Sequence, residues 1–262
     1  MGVITLLTDF GHRDSYVGVM KGVIAGISPA SQVVDLTHEI QPQAISAARF
    51  NLLMSYGYFP ANTIHVVVVD PGVGTGRAAI AARVTTAAGV QTVIVPDNGI
   101  LTGFPVIRAV ALTNPEYWRT PQLSHTFHGR DLFAPVAAHL ANGVALDELG
   151  TPLVVSSLVR LDVSDVVPSA QGYRGSIQYI DRFGNLITNI PAELLAGQSW
   201  QMQLGGHIIS YAKTYGEQAA GTALALIGSH GYGEIAVNGG SAAQVFKTDV
   251  GDPVDLVTLP MG

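Results

Sequence analysis

The sequence predicts an α/β chain: an N-terminal α/β domain with a largely parallel central sheet, joined to a small C-terminal β-barrel or sandwich domain. Three observations carry this. Strand-length apolar runs alternate with helix-length segments through residues 1–160, the pattern of a sheet with helices on its faces. The run Thr63 to Asp70 is almost continuously β-branched, as in a strand covered on both sides. Beyond residue 172 the pattern changes to short alternating segments with closely spaced turns, as in a small β domain.

Taken in order, Val3 to Thr8 is an apolar strand that ends in a polar Thr-Asp-Phe-Gly turn. Ser15 to Ile27 places Val17, Met20, Val23, Ile24 and Ile27 at helical spacing. Gln32 to Leu36 is a second strand, and Pro42 to Tyr56 a second helix with proline near its first turn. Thr63 to Asp70, Ala79 to Val84 and Val90 to Val95 are strands, the last closed by the turn Pro96-Asp97-Asn98-Gly99. Asp131 to Leu140 is a helix. The segment 161–172, with Pro168 and Gly172, reads as a linker between domains at 1–160 and 173–262. The second domain offers strands at Tyr173–Ile180, Trp200–Leu204, His207–Tyr211, Ala223–Ile227, Glu234–Val237 and Val254–Leu259.

Composition narrows the function. With 48% hydrophobic and 12% charged residues, the chain is core-rich and unlike a disordered one. The thin charge makes burial of surface in an oligomer an expectation. No apolar run reaches the length of a membrane span. The first residues read as a strand and not a leader, so the expected location is the cytoplasm. A net charge of −6 without a basic run argues against nucleic acid as partner. The absence of cysteine excludes disulfides, thiolate metal sites and cysteine nucleophiles.

Four clusters hold the chemistry-bearing residues. Asp9 and Asp70 close two strands, where open α/β sheets bind ligands. Asp70 opens the loop Pro-Gly-Val-Gly-Thr-Gly-Arg, which matches neither a phosphate loop nor a dinucleotide fingerprint and also reads as a plain turn. His125-Thr126-Phe127-His128-Gly129-Arg130-Asp131 precedes a helix; it suits substrate or proton binding, or a capping segment whose Arg130 and Asp131 pair on the surface. A zinc site from His125, His128 and Asp70 is possible, but no metal-binding spacing supports it, and no metal is expected. Asp181-Arg182-Phe183-Gly184-Asn185 offers polar groups and a stacking ring, or a hairpin turn. The last, from Gly228 to Ser241, is glycine-rich and contains the turn signal Asn238-Gly239.

The ordered set TDFGHRDSYVG at 8–18, VVDLTHEIQP at 33–42, VDPGVGTGR at 69–77, PDNG at 96–99, TFHGRD at 126–131, IDRFGNLITN at 180–189 and GSHGYGEIAVNGGSA at 228–242 resembles the S-adenosylmethionine hydroxide adenosyltransferases, relatives of the fluorinase and chlorinase enzymes. The resemblance runs nearly end to end and implies the two-domain fold read above. It implies hydrolysis of S-adenosylmethionine to adenosine and methionine, with no cofactor. The family's hydroxide-holding triad falls on Asp70, Arg77 and His128. Substrate contacts fall on Asp9, Asp181, Phe183, Asn185, Ser229, Glu234, Val237 and Gly239, some through backbone groups. It also implies a homotrimer or hexamer, with substrate between the N-terminal domain of one subunit and the C-terminal domain of its neighbour.

Departures from the fluorinase argue against a halide nucleophile. That enzyme has Tyr in place of Asp70, Ser in place of Gly129, and an inserted loop for which this chain has no room before Val90. It also has Arg at the His230 position and Trp at the Gln43 position. A chlorinase-type halogenase and a non-catalytic adenosine or S-adenosylmethionine sensor are the alternative readings. Water is a weak nucleophile, with a pKa of about 15.7, but a sulfonium leaves as a neutral thioether and needs no acid. Orienting one oxygen in line with the C5′–S bond is then the main task, worth roughly 7–11 kcal/mol.

Overall fold

The computed structural model describes residues 2–197 and 199–259. The chain divides into two units, the first ending at Leu161 and the second starting at Asp162. The first runs β1 (Val3–Thr8), α1 (Tyr16–Ile27), β2 (Gln32–Thr37), α2 (Ile45–Ser55), β3 (Ile64–Val68), β4 (Ala79–Thr86), β5 (Gly89–Pro96), β6 (Val106–Ala111), α3 (Ala134–Ala141) and β7 (Thr151–Leu153). Its strands form one sheet in the order β2-β1-β3-β5-β4-β6-β7. β2, β1, β3 and β5 are parallel, whereas β4, β6 and β7 each run antiparallel to their neighbours.

Successive side chains of a strand point to opposite faces, and β1 and β3 are apolar at nearly every position, so each feeds two cores. Ile4, Leu6, Ile64, Val66 and Val68 pack with Met20 and Ile24 of α1 and with α3. Leu7, Val67 and Val69 face the other way, toward Ala48 and Leu52 of α2. That double covering explains why the run is apolar on both faces, with His65 its one break in β3.

Two helix starts differ from expectation. The second helix begins at Ile45 and not at Pro42. Gln43 takes a left-handed conformation (φ 66°) and donates its backbone N–H to Asp9 Oδ2 at 2.8 Å, so residues 41–44 form a turn fastened to the end of β1. The helix expected from Asp131 starts two residues earlier, with one π-helical turn, Gly129–Phe133, that continues into α3; such wide turns are frequent at functional sites. β6, β7 and, in the second unit, β8 and β10 are strands that the sequence reading does not include; β8 lies within the segment 161–172 read as a linker.

The second unit contains β8 (Val167–Ser169), β9 (Gly172–Ile180), β10 (Leu186–Pro191), β11 (Ser199–Leu204), β12 (His207–Ser210), β13 (Ala223–Ile227), β14 (Tyr232–Val237), α4 (Ala242–Phe246) and β15 (Pro253–Leu259). The sheet order is β12-β11-β15-β9-β10-β14-β13, with β8 on β9. Tyr211, just past β12, bridges to Ala225 of β13, and Ala212 N–H donates to the Ala225 carbonyl at 2.8 Å. The two edges thereby meet, and the sheet nearly closes into a barrel filled by Ile177, Leu186, Trp200, Met202 and Ile235. Among the described residues no helix is long and apolar enough to cross a membrane.

A histidine is among the polar side chains buried in the first unit. His65 on β3 is fully buried. Its Nδ1 accepts from the Thr5 hydroxyl at 2.8 Å, and its Nε2 lies 3.2 Å from Gln91 Oε1. Gln91 donates its NH2 to the Tyr56, Phe59 and Pro60 carbonyls, so its oxygen faces the ring and fixes the neutral Nε2–H tautomer. Burial lowers the His65 pKa to about 4. An unfolded histidine takes its proton near pH 6.5, so the stability tied to neutral His65 is complete above that pH. It is lost as pH falls toward 4, at up to about 1.4 kcal/mol per unit. NMR titration should therefore find His65 neutral through pH 5. Titration near 6.5 would contradict the buried tautomer.

Candidate active site

β1 and β3 are parallel neighbours, so the residues following them share one edge of the sheet. Asp9 follows β1 directly, and Asp70 lies two residues beyond β3. Both line a cavity of about 340 Å³, together with Phe10, Tyr16, Pro42, Gln43, Val68, Val73, Thr126, Phe127, His128 and Gly129. Three rings form one wall. Phe127 meets Phe10 and Tyr16 edge to face at 5.9 and 5.2 Å, and Phe10 lies 5.6 Å from Tyr16. Such contacts hold flat apolar faces in place. Gly129 sits against this wall: a Cβ there would lie 3.0 Å from Met20 Sδ and 3.1 Å from the Phe127 ring, which leaves little room for a larger residue.

Behind the cavity lies an Arg-centred cluster. Arg77 Nε donates to Asp70 Oδ1 at 3.0 Å, and its Nη2 donates to Asp70 Oδ2. Nη2 also lies 3.3 Å from His128 Nδ1. A guanidinium has no acceptor, so Nδ1 accepts, and the proton of a neutral His128 sits on Nε2. Burial, and next the Arg77 charge, hold His128 below the ordinary imidazole pKa, consistent with that neutral form. The Arg77 and Asp70 side chains are 9% and 5% exposed, and Arg77 lies over the Phe133 ring at 5.7 Å. Arg77 Nη1 is buried with no protein partner.

The loops that meet here are shaped by particular residues. Gly74 is left-handed (φ 75°), and a Cβ on it would lie 2.3 Å from the His125 carbonyl oxygen. Only glycine allows the Asp70–Arg77 loop to pack on the His125–His128 segment. Asp131 is buried and accepts from Arg130 Nε at 2.6 Å and Nη2 at 2.7 Å, and from Ser124 N–H at 3.1 Å. Its hydrogen bonds to Arg130 hold its pKa down. The Arg130–Asp131 pair, expected on the surface, instead has its carboxylate buried and anchors the loop before His128 from inside. Among the described residues no cluster of three His, Asp or Glu is arranged to hold a metal ion.

In the second unit, Asp181, Phe183 and Asn185 occupy the turn between β9 and β10. Asp181 Oδ1 accepts from the Phe183 and Asn185 backbone N–H groups, both at 2.9 Å, and Oδ2 accepts from Asn185 Nδ2 at 3.0 Å. The carboxylate shapes the turn, and Phe183 is left 76% exposed. Ala243 N–H donates to the Gly184 carbonyl at 3.0 Å, which fastens this turn to the first turn of α4, just past Gly239. Ser229 is exposed. Glu234 is buried; its Oε1 accepts from the Tyr215 hydroxyl at 2.7 Å, and its Oε2 lies 3.1 Å from His230 Nε2. Burial, with this carboxylate, pushes the Tyr215 pKa up. The Val237 side chain belongs to the unit's core.

Asp9, Asp70 and His128 therefore meet at one cavity, and Arg77 joins them from behind. The aromatic wall of Phe10, Tyr16 and Phe127 was missed by sequence reasoning, as was Tyr215 beside Glu234; His230 enters that reasoning as a departure from the fluorinase and not as a partner of Glu234. The three rings were visible as aromatic residues inside the polar motifs TDFGHRDSY and TFHGRD, where a core role is unexpected.

Residues 4–150 match the family model described as the SAM hydroxide adenosyltransferase N-terminal domain, and residues 175–255 match the C-terminal domain of the same family. An (R)-S-adenosyl-L-methionine hydrolase of Thermus thermophilus is 38% identical, with 98% of this chain and 100% of the relative covered. A fluorinase of Nocardia brasiliensis is 26% identical, over 97% and 96%. The crystal structure of an uncharacterized conserved protein from Thermotoga maritima superposes with a TM-score of 0.88, at 36% identity over 97% and 99% of the two chains.

The buried ion pair has a measurable signature. Arg77→Met leaves the Asp70 carboxylate buried without its countercharge and should cost about 3–5 kcal/mol in urea unfolding, whereas Arg77→Met with Asp70→Asn should recover most of it. A single variant as stable as the parent would contradict the pairing.

Proposed function

The chain belongs to the SAM hydroxide adenosyltransferase family, and from that premise we propose that it hydrolyses S-adenosyl-L-methionine to adenosine and L-methionine. The observation that carries the proposal is the meeting of Asp70 and His128, both bound to Arg77, at a cavity walled by aromatic rings. The hydrolase named for Thermus thermophilus, similar over its whole length, supports the same reaction, with the (R)-sulfonium as the substrate form.

In the reaction a water oxygen forms a bond to C5′ as the C5′–S bond breaks. The electron pair goes to sulfur, methionine departs with its sulfur as a neutral thioether, and the proton lost by the water passes to the Asp70 carboxylate and from there to solvent. The residues fit the remaining tasks. Asp70 accepts a hydrogen bond from the water and orients it. His128, neutral with its proton on Nε2, donates to the same oxygen and favours it as negative charge develops. Arg77 does not line the cavity and acts through its two partners; its charge offsets that of Asp70, which would otherwise repel hydroxide. Phe10, Tyr16 and Phe127 offer flat faces to the adenosyl group, and Asp9 offers a carboxylate to its hydroxyls. A halide nucleophile is disfavoured, because a carboxylate faces the cavity and the Gly129 position has little room for a larger side chain.

We also propose a homo-oligomer, a trimer or a pair of trimers, in which the second unit of a neighbouring subunit completes each site through Phe183, Asn185, Ser229 and Gly239. The exposed Phe183 ring, fixed on a rigid turn, supports this. Light scattering should report a multiple of the 27.4 kDa chain; a stable, active monomer would refute shared sites.

Chromatography after incubation with each sulfonium epimer tests the activity. Adenosine and methionine should form in equal amounts, the (R) form should be consumed faster, and labelled water should place its oxygen in adenosine. With chloride present, 5′-chloro-5′-deoxyadenosine should not form. Asp70→Ala and His128→Ala should each lower kcat by about 100-fold or more while substrate binding changes little. Tight binding without turnover would favour a sensor instead.

A further inference from the structure

The turn Pro96-Asp97-Asn98-Gly99 is a sequence motif that the proposed chemistry does not use. The sheet order gives it a special place. β5 lies between β3 and β4, Asp70 follows β3, and Arg77 precedes β4. The Asp70–Arg77 pair therefore spans the end of β5, and residues 97 and 98 come directly after that strand. Asn98 Nδ2 donates to the Val69 carbonyl at 2.9 Å, one residue before Asp70. Asp97 N–H donates to the Ala78 carbonyl at 2.8 Å, one residue after Arg77. The turn thus grips the chain beside each member of the pair.

The side chains add to this. Asp97 Oδ1 accepts from the Val159 N–H at 3.0 Å, which ties the turn to the end of the first unit. Burial raises the Asp97 pKa, and the Arg77 charge opposes that rise, so this carboxyl also lies within reach of the guanidinium field. The Asn98 amide oxygen is buried with no protein partner. An unmatched buried acceptor is costly, so what the amide contributes here is its donor.

We propose that Asn98 is a positioning residue for hydrolysis: its amide donor, with the Asp97 backbone N–H, sets the separation of the Asp70 and Arg77 loops and thereby the aim of Asp70 into the cavity. It touches no reacting atom. The inference rests on the assignment of Asp70, Arg77 and His128 as the hydrolytic cluster, and its failure is separable from failure of that assignment.

The test compares Asn98→Ala and the similarly sized, uncharged Asn98→Leu, both of which remove the donor, with Asn142→Ala. Asn142 also makes side-chain hydrogen bonds through both ends of its amide, donating to the Ile27 carbonyl at 2.8 Å and accepting from the Ser28 hydroxyl at 2.6 Å, but it is exposed and lies at the end of α3 away from the pair. Small misplacements of reacting groups cost up to about 100-fold in rate, so both Asn98 variants should lose about 10- to 100-fold in kcat. Their KM for S-adenosylmethionine should stay near the parent value. Asn142→Ala should lower Tm and leave kcat unchanged. Parental kcat in a folded Asn98 variant, or an equal kcat loss in Asn142→Ala, overturns the proposal; so does failure of both Asn98 variants to fold, which would assign the residue to the fold alone. An inactive parent would instead refute the hydrolytic reading.

Discussion

The geometry of the candidate site depends on one guanidinium. Arg77 engages both oxygens of Asp70 and the Nδ1 of His128, and because it only donates, it dictates the state of each partner. Asp70 is held as an oriented acceptor, and His128 is held neutral with its remaining proton on Nε2. One acceptor and one donor then face a single cavity, which suits a water molecule entering a displacement better than it suits a halide. A buried charge pair is weak evidence for stability by itself; its value here is the fixed orientation of two groups on separate loops.

The fold supplies what that guanidinium needs. Parallel pairing of β1 and β3 puts Asp9 and Asp70 at one sheet edge, and insertion of β5 between β3 and β4 puts Arg77 across a strand end from Asp70. The left-handed Gly74 lets the Asp70–Arg77 loop lie against the segment that carries His128. Inside that segment Asp131, gripped by Arg130 and by the Ser124 N–H, fixes the approach to the π-helical turn. The loops are irregular, yet each is pinned at a named residue, which is how a binding edge stays pre-organised.

Much of this was legible in the sequence. Apolar runs placed β1 and β3, the aspartates at their ends marked the ligand edge, and the change of texture past residue 172 foretold the β-rich second unit. What escaped reading had physical causes. β6 carries Arg108 within a short apolar run, and β10 follows a turn and ends in Pro191, so neither displays clean alternation. The start of α2 was misplaced because the left-handed Gln43, satisfied by Asp9 from another strand end, is a tertiary effect. The ring wall of Phe10, Tyr16 and Phe127 comes from two segments more than a hundred residues apart. Glu234 reads as a free carboxylate in the sequence, but Tyr215 and His230 occupy its oxygens.

The state of His128 bears most directly on this arrangement, and nitrogen-15 NMR of its imidazole reads it. At neutral pH the ring should be uncharged, with Nδ1 unprotonated and the proton on Nε2. A proton on Nδ1, or a doubly protonated ring, would contradict donation from Arg77 and remove the basis on which Asp70 and His128 are aimed at one oxygen.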